Sequence, residues 1–276
     1  MTRTLEEYNQ VMGLFKQGIN KLQIAKQTGV PRGTITDWTL GKIDLTVSSQ
    51  RIELDPALIL STPEKIDAYI YLLGSYLGDG CITQPPTNRV AKLRIACDNT
   101  QPFVMQSNRE AMAALFSNND ISTQSSKIGN CSYIGVYSTT LYHLFPQAVK
   151  NGGNKNTRDV SLVGWQLKLL VGREGLFLKG LFHSDGSFFR GSKKYYRYQF
   201  TNTSKDIIDI LRKCLSKLDI NYCLTESLPS PRKIKSNKEI TTFKTRYNIL
   251  IQSKAEVKKL YKYCGTKHNE VIQELI

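Results

Sequence analysis

The chain of 276 residues carries 38 lysines and arginines against 23 aspartates and glutamates, a formal net charge of +15. This excess indicates a polyanionic partner, most simply a nucleic acid, the alternative being a basic surface that only aids solubility. Hydrophobic residues make up 40% of the sequence, enough for one large domain or a few small ones. No apolar run reaches the ~18 residues of a membrane span. The six cysteines include no Cys-x-x-Cys pair and are accompanied by only three histidines, which argues against zinc and for reduced thiols in a cytoplasmic protein.

Residues 1–42 are predicted to form a small all-α domain. An amphipathic helix runs from Leu5 to Phe15, and Asn20 is a candidate N-cap for a second helix. Gly29 can take the left-handed conformation of a turn, and a third helix follows it. This pattern resembles a helix-turn-helix, a DNA-binding motif, with an ordinary three-helix domain as the alternative.

In such a motif, apolar side chains of the turn and the third helix face back onto the first helix. The side chains expected to do so are Val30, Ile35 and Trp38. The exposed face of the third helix would then enter a major groove. The candidate DNA contacts on that face are Arg32, Thr34 and Thr36.

A linker is expected over residues 43–62, with one strand near Ile52–Leu54. Apolar residues at helical spacing then predict a helix from Pro63 to Gly78. This helix ends in the segment Leu-Leu-Gly-Ser-Tyr-Leu-Gly-Asp-Gly at residues 72–80. Asp79 falls at the helix C-terminus, where the macrodipole disfavours an anion by ~0.3–1 kcal/mol. A carboxylate in that place calls for a cation.

The same pattern recurs as Leu-Lys-Gly-Leu-Phe-His-Ser-Asp-Gly at residues 178–186. Both copies follow an apolar helical run, and both lead into polar, strand-like sequence. A repeat of such long period indicates two similar subdomains rather than a solenoid. We place these subdomains at residues 63–160 and 161–276.

Each half is predicted to run in the order α-β-β-α-β-β-α. The elements predicted after the first motif helix are strands Cys81–Gln84 and Val90–Cys97, helix Gln101–Phe116, strands Ile121–Ser126 and Tyr133–Ser138, and helix Leu141–Val149. The second half is predicted to contain helix Gly164–Ser184, strands Ser187–Arg190 and Tyr195–Asn202, helix Lys205–Leu218, strands Tyr222–Ser227 and Thr241–Gln252, and helix Ala255–Tyr263. Two twisted sheets side by side would form a concave basic saddle that suits duplex DNA.

The two motif segments resemble those of single-chain LAGLIDADG homing endonucleases, over roughly residues 63–276. Both keep the glycine in the third motif position, Gly74 and Gly180, and the closing Asp-Gly. The resemblance implies an α+β fold of two pseudo-symmetric αββαββα subdomains that form a DNA-binding saddle, with the motif helices packed at their interface. It also implies that Asp79 and Asp185 are catalytic. The metal ligands that it implies are Asp79, Asp185, Gly78 and Ser184.

Two carboxylates held together by close helix packing suit hydrolysis of a phosphodiester, which needs an activated water and stabilisation of negative charge. The expected cofactor is Mg²⁺ or Mn²⁺, with Ca²⁺ supporting binding without cleavage. A second recurrence supports the pairing, because Lys155 and Lys267 each follow the last helix of their half. The resemblance implies a catalytic lysine there, and a solvated surface lysine is the alternative. The sixth motif position, Leu77 and His183, is not counted as catalytic.

A polar residue at the end of the second strand is a further position that the resemblance makes catalytic. In the second half this residue is Asn202, for which capping of the strand end is the alternative. In the first half the match falls on either Cys97 or Asp98. This departure from the pattern permits unequal cleavage of the two DNA strands.

Side chains that alternate along the outer faces of the strands would read the bases. The candidate DNA contacts in the two halves are Arg89, Lys92, Arg94, Lys193, Lys194, Arg197, Gln199, Arg232, Lys233, Lys235 and Lys244. A solvated sheet face is the alternative for this set.

The sequence therefore predicts a site-specific double-strand DNA endonuclease that acts as a monomer on a long, asymmetric target. Two alternatives stay open, a non-catalytic transcription regulator built on the same scaffold and an intron maturase. Both motif aspartates are present, which argues against the regulator. The helix-turn-helix pattern favours DNA over RNA, which argues against the maturase.

Overall fold

The computed structural model describes residues 4–41, 55–84, 90–126, 129–149, 155–191, 195–229, 231–233, 239–241 and 244–276. The chain divides into two compact units, Met1–Leu54 and Asp55–Ile276. The strand expected near Ile52–Leu54 lies outside the described residues. The end of the expected linker, from Asp55 onward, belongs to the second unit.

The N-terminal unit is helical in its described part. Its helices are α1 (Leu5–Lys16), α2 (Lys21–Thr28) and α3 (Arg32–Thr39). A capping box begins α1, in which the side chains of Thr4 and Glu7 each accept a hydrogen bond from the other's backbone N–H. The predicted N-cap Asn20 accepts a hydrogen bond from the backbone N–H of Gln23 at 3.0 Å. The predicted turn residue Gly29 has a φ of 67°, the left-handed conformation, so α2 ends there.

A small core of its own holds this unit together. Its buried side chains are Tyr8, Val11, Ile24, Val30, Ile35 and Trp38. The rings of Tyr8 and Trp38 meet edge-on with 5.2 Å between their centroids, which ties α3 to α1. The three side chains predicted to face inward are therefore buried, while Arg32 is exposed on α3.

The first half of the second unit begins with a short helix where a linker was expected. Its elements are α4 (Pro56–Ile59), α5 (Pro63–Asp79), β1 (Gly80–Thr83), β2 (Ala91–Asp98), α6 (Pro102–Leu115), β3 (Ile121–Ser125), β4 (Cys131–Ser138) and α7 (Leu141–Leu144). The strands form one antiparallel sheet in the order β1-β2-β4-β3. The prediction that α7 reaches Val149 is wrong, because Pro146 disfavours helical backbone at Phe145.

The second half repeats this arrangement. Its elements are α8 (Gly164–Leu170), α9 (Glu174–Ser184), β5 (Gly186–Arg190), β6 (Tyr196–Asn202), α10 (Lys205–Lys217), β7 (Cys223–Ser227), β8 (Pro231–Lys233), β9 (Glu239–Thr241), β10 (Arg246–Ile251) and α11 (Lys254–Cys264). Four strands form an antiparallel sheet in the order β5-β6-β10-β7, and β8 pairs with β9 separately. The strand predicted to begin at Thr241 begins at Arg246, because Thr241 pairs with Pro231 in that separate hairpin.

The motif helix of the second half is interrupted, contrary to the single helix predicted over Gly164–Ser184. Helix α8 ends at Leu170, and α9 begins at Glu174. Gly172, between them, has a φ of 76°. Glycine adopts this left-handed conformation without strain, and it ends a helix.

The two motif helices, α5 and α9, pack backbone against backbone. A Cβ added to Gly74 would lie 2.9 Å from the backbone nitrogen of Leu181, and one added to Gly180 would lie 2.9 Å from that of Ser75. Contacts this short do not occur with real side chains. Glycine in the third motif position therefore allows the helices to meet, and this contact brings the two motif aspartates together.

One hydrophobic core extends through both halves, on both sides of the helix pair. Its fully buried members include Leu72, Leu73, Leu93, Phe177, Leu181 and Phe200. The predicted α+β fold of two αββαββα subdomains is confirmed. Among the helices of the described ranges, none combines the length and the apolar character needed to cross a membrane.

Candidate active site

The two motif aspartates lie at the ends of the packed helices. Asp79 is the last residue of α5, and Asp185 is the C-cap of α9. A Cβ added to Gly78 would lie 3.5 Å from the carboxyl carbon of Asp185, so the end of α5 lies against the aspartate of α9. Each carboxylate therefore faces a like charge and the negative ends of two helix dipoles.

This environment disfavours the charged forms of both side chains. Desolvation, followed by the charge of Asp185, raises the pKa of Asp79 to about 6, although Asp79 is exposed to solvent. Desolvation also raises the pKa of Asp185. The positive charges of Lys155 and Lys267 oppose these shifts in both carboxyls. A bound cation would favour the charged forms further, so the pair is suited to hold one.

Lys155 and Lys267 approach the aspartates from the ends of the two halves. The Lys155 amine donates to the backbone oxygens of Tyr76 and Gly78 in the last turn of α5. The Lys267 amine donates to the backbone oxygen of Ser184, the last residue of α9, at 2.6 Å. The last carbonyls of a helix lack partners within it, so each lysine caps one motif helix, although the Tyr76 oxygen also accepts from the backbone N–H of Gly80. Burial lowers the pKa of Lys155 to about 8 and also lowers that of Lys267.

The charge interactions cross between the halves. Of the two aspartates that raise the pKa of Lys155, Asp185 has the larger effect. For Lys267 the order is reversed, with Asp79 ahead of Asp185. Each lysine thus caps the helix of its own half and interacts most strongly with the aspartate of the other half. We name the two groups the Asp185 cluster (Asp185 and Lys155) and the Asp79 cluster (Asp79 and Lys267).

Asn202 lies at the end of β6, beside the Asp185 cluster. Its side-chain nitrogen donates to Oδ2 of Asp185 at 2.7 Å, and its side-chain oxygen accepts from the backbone N–H of Ser204 at 2.8 Å. The backbone N–H can only donate, so it fixes the amide with its NH₂ group towards the carboxylate. Asn202 therefore acts on Asp185, and its contact goes beyond capping of the strand end.

The strand register decides between the two candidates in the first half. The glycine after the motif aspartate pairs with Ile95 in the first sheet and with Phe200 in the second. Cys97 lies two residues after Ile95, and Asn202 lies two residues after Phe200. Cys97 is therefore the first-half equivalent of Asn202. Asp98 is exposed, and its carboxylate accepts two hydrogen bonds of 2.8 Å from within its own turn.

A cavity of about 330 Å³ opens beside the Asp185 cluster. Its lining residues are Leu77, Gly78, Lys155, Asp185, Thr201, Asn202, Thr203 and Arg246. Arg246, the first residue of β10, was not among the predicted site residues, because a lone arginine in a basic stretch carries no motif signal. A phosphate that entered this cavity would meet a guanidinium and an ammonium group, both of which bind phosphate oxygens.

The site suits a loosely held hard cation better than a closed metal cage. Mg²⁺ is commonly bound by one or two carboxylates together with water and substrate phosphates, and the two aspartates can provide the carboxylates. Within the described residues, no group of three or more His, Cys, Asp or Glu side chains could hold a metal by itself. Of the other predicted ligands, the backbone oxygens of Gly78 and Ser184 accept the lysine hydrogen bonds, and the Ser184 hydroxyl donates within its own helix.

The predicted base-reading side chains that the structure describes lie on the outer strand faces. Both β2 and β6 alternate buried with partly exposed residues. Lys92, Arg94 and Arg197 place their charged groups 4.9, 5.6 and 4.5 Å from the centroids of aromatic rings on neighbouring strands. Gln199 shares this face on β6, and Lys244 is exposed ahead of β10. Cation–π contacts of this kind hold the long side chains in place on the strand surface.

The structure describes only some of the other predicted DNA contacts. Arg89, Lys193, Lys194 and Lys235 lie outside the described residues. Arg232 and Lys233 are placed on β8 by their backbone. In the N-terminal unit Thr34 and Thr36 are partly exposed, and the Thr36 hydroxyl donates to the backbone oxygen of Arg32 at 2.9 Å.

His183, in the sixth motif position, is only 3% exposed. Its Nδ1 accepts a hydrogen bond from the Tyr71 hydroxyl at 2.9 Å, and its Nε2 lies 3.3 Å from the backbone oxygen of Cys264. That oxygen can only accept, so Nε2 carries the proton and the ring is neutral. Burial lowers the pKa of His183 to about 4. The ring joins α5, α9 and α11, a packing role that the sequence does not reveal.

We expect the buried His183 to lower the stability of the protein at acidic pH. Its pKa is about 4 in the folded state against 6.5 for an unperturbed histidine, so the folded state resists protonation. The free energy of unfolding should therefore fall as the pH drops from 6.5 towards 4. Urea denaturation at a series of pH values measures this loss. The variant His183→Gln cannot titrate there and should give a shallower dependence, whereas an unchanged slope would assign the loss to other groups.

The paired motifs, the fold and the two clusters together point to one class of protein. Residues 173–265 match the model of the LAGLIDADG-like domain family. The match runs from the start of α9 to the end of α11 and includes Asp185 and Asn202. The resemblance that the two motifs indicated is confirmed, and the family match itself covers the second of the two motifs. A comparison with curated proteins gives no match.

Similar solved structures include two homing endonucleases. I-DmoI in complex with DNA and Ca is similar over 77% of this chain and 96% of its own, at 16% identity and a TM-score of 0.46. I-WcaI bound to its DNA recognition sequence is similar over 76% of this chain and 84% of its own, at 16% identity and a TM-score of 0.42. Full-length DUF199/WhiA from Thermatoga maritima is similar over 78% of this chain and 58% of its own, at 14% identity and a TM-score of 0.47. None of these similarities identifies the reaction.

Proposed function

We propose that the protein is a site-specific endonuclease that hydrolyses both strands of DNA with the help of a divalent cation. The observation that carries this proposal is the meeting of Asp79 and Asp185, each beside a lysine, at one end of the packed motif helices. Like charges held side by side in a partly desolvated place are unfavourable for folding. Such groups with strongly shifted pKa values cluster at functional sites.

The residues divide the chemistry between them. Asp79 and Asp185 would hold the cation, which when bound supplies positive charge and lowers the pKa of an attacking water. Lys155 and Lys267, fixed by the helix carbonyls, would neutralise charge on the phosphate. In the hydrolysis the water oxygen forms a bond to phosphorus, one bond from phosphorus to an ester oxygen breaks, and the proton released by the water ends on that oxygen. Two clusters match the two strands of a duplex.

The charge of the outer strand faces supports binding to duplex DNA. Lys92 and Arg94 on β2, and Arg197 followed by Gln199 on β6, lie on the strand faces away from the core, and the chain carries a net charge of +15. Because one chain supplies both clusters, we propose that it acts as a monomer on a long, asymmetric site. The helix-turn-helix-like N-terminal unit would provide a further contact.

The test is to incubate the protein with a plasmid library in Mg²⁺ and to map the cut ends. Mn²⁺ and Ca²⁺ are added as further arms, because I-DmoI has been solved with DNA and Ca and with DNA and Mn. We expect cuts at one or few sequences in Mg²⁺ or Mn²⁺, and binding without cutting in Ca²⁺. The log of the affinity should fall by about 0.9 per log unit of salt for each phosphate contact. Sequence-specific binding without cleavage in any ion would favour the transcription regulator, and selective binding to intron RNA would favour the maturase.

We expect Arg32→Ala to weaken DNA binding while cleavage at saturating protein persists. Arg32 is exposed at the start of α3, on the face that a helix-turn-helix directs to the major groove. Losing a guanidinium contact to a base costs about 1–3 kcal/mol. Affinity is measured in Ca²⁺ and cleavage in Mg²⁺. The control Lys16→Ala removes a positive charge from the exposed end of α1. An equal loss of DNA affinity in both variants would mean that only the net charge matters, and not a contact made by Arg32.

A further inference from the structure

The two halves of the second unit share one strand register but differ at one position beside the aspartates. The second half places Asn202 there, and the first half places Cys97. Both side chains come from the end of the second strand of their sheet. The difference therefore concerns the immediate surroundings of Asp185 and Asp79, while the backbone around them is alike.

Asp185 has a fixed hydrogen-bond donor. The Asn202 amide donates to its Oδ2 at 2.7 Å and is itself held by the Ser204 backbone at 2.8 Å. A carboxylate bound by a fixed donor keeps one orientation. The second oxygen of the carboxylate is left for other contacts.

Asp79 has no such donor within the described part of the chain. The Cys97 thiol is buried, lies 3.9 Å from the backbone oxygen of Ile95 and is approached by the Asn108 amide at 3.8 Å. A thiol is a weak donor, and a thiol turned to a carbonyl offers nothing to a carboxylate.

We propose that the two clusters cut at unequal rates, with Asn202 as the positioning residue that makes the Asp185 cluster act first and Cys97 leaving the Asp79 cluster to act second. This inference rests on the proposed endonuclease function. Its consequence is an ordered reaction, in which the protein first nicks one defined strand and a nicked duplex accumulates before the second strand is cut.

The order of cutting is measured on a supercoiled plasmid that carries the mapped target. Nicked and linear DNA are followed over time, and end-labelled duplexes identify the strand cut first. We expect the first cut to be about tenfold faster than the second, which corresponds to about 1.4 kcal/mol between the two barriers. The same strand should be nicked first in every molecule.

Exchange of the two residues is the sharpest arm of the test. In Cys97→Asn alone, the second cut should accelerate and the nicked species should largely disappear. In the double variant Cys97→Asn with Asn202→Cys, the opposite strand should be nicked first. A merely structural role for Asn202 predicts slower cutting of both strands and no reversal. The control Cys223→Asn puts the same amide at an exposed position on β7, the last strand of the second sheet, and should leave the order unchanged.

The new asparagine has a place to fit. Cysteine and asparagine are close in size, and Oδ1 of Asn108, next to Cys97, is buried without a hydrogen-bond partner in the described structure. One N–H of an amide at position 97 can donate to that oxygen and the other to Asp79. Thermal melting of each variant shows whether the fold is kept, so a failure to fold is not read as a change of order.

A measurement that does not depend on cleavage tests this inference separately from the proposed endonuclease function. In the metal-free protein, the NMR signals of the Asn202 side-chain amide should move when Asp185 is changed to Asn, and Cys97→Asn should add an amide that responds to Asp79→Asn. Equal cutting rates, random choice of the first strand, or no reversal in the exchanged variant would overturn the proposed order while leaving the endonuclease intact. No cleavage of any DNA by the unmodified protein would overturn both.

Discussion

Asp79→Asn or Asp185→Asn is expected to slow double-strand cleavage by about 10³-fold or more. Each substitution keeps the size of the side chain but removes a full negative charge from the place where the two motif helices end. Removal of a single preorganised polar group already costs about 10²–10³ in rate in well-studied active sites. Because both carboxylates and both lysines interact, loss of one charge should impair both clusters. Cleavage of the mapped target in Mg²⁺ measures the effect.

Two further readouts distinguish this loss from damage to the protein. DNA affinity in Ca²⁺ should persist, because removing an acid near phosphate lessens repulsion. Stability at neutral pH should rise in Asp79→Asn, since a folded-state pKa of about 6 against an ordinary 3.8 means that the charged carboxylate destabilises the folded state above pH 6. Asp209→Asn, a control on the exposed surface of α10, should leave cleavage unchanged. Full-rate cutting by a variant that lacks both motif aspartates would refute the proposed chemistry.

Gly74→Ala and Gly180→Ala are each expected to destabilise the second unit by about 2–3 kcal/mol or more, through overpacking of the helix pair. A Cβ at either position would collide with backbone atoms of the other helix, which cannot move aside as a flexible side chain can. Alanine gains about 1 kcal/mol of helix propensity over glycine, so the measured loss is net of that gain. The melting temperature of the second unit should fall by roughly 5–10 °C.

Gly164→Ala is the matched control for these two variants. Gly164 begins α8 in the same unit, and a Cβ there would meet nothing within 4 Å. This variant should be neutral or slightly more stable, because it gains helix propensity without a collision. If Gly180→Ala were as stable as the parent protein, the close contact between α5 and α9 would be wrong.

The fold could be predicted from the sequence because its main determinants are local. The two copies of the motif are recognisable from the spacing of their apolar residues and from Gly74 and Gly180. In the strands, apolar and polar residues alternate with period two. The breaks were harder to predict. Gly172 interrupts an apolar periodicity that continues on both sides of it, and tertiary contacts decide whether such a glycine is helical or left-handed.

The site residues that recur in both halves could be predicted from the sequence. The residues whose position depends on strand pairing or on three-dimensional contact could not. Asp79 and Asp185 recur in identical positions, and Lys155 and Lys267 recur after the last helix of each half. The choice of Cys97 over Asp98 depends on the β1–β2 register, which the sequence leaves open by one residue. The donation of the lysine amines to helix carbonyls depends on three-dimensional contact, as does the approach of Arg246 from a distant strand.

The crossing of charge interactions between the halves has a consequence for any divided form of this protein. Lys155 interacts most strongly with Asp185, and Lys267 with Asp79, so neither half contains a whole cluster. For the endonuclease that we propose, two half-chains expressed separately should each be inert, and activity should return only on complementation. A hybrid can also be joined from halves of two related proteins. Its two motif helices would have to pack through the glycine contact, and each lysine would have to extend to the aspartate of the foreign half.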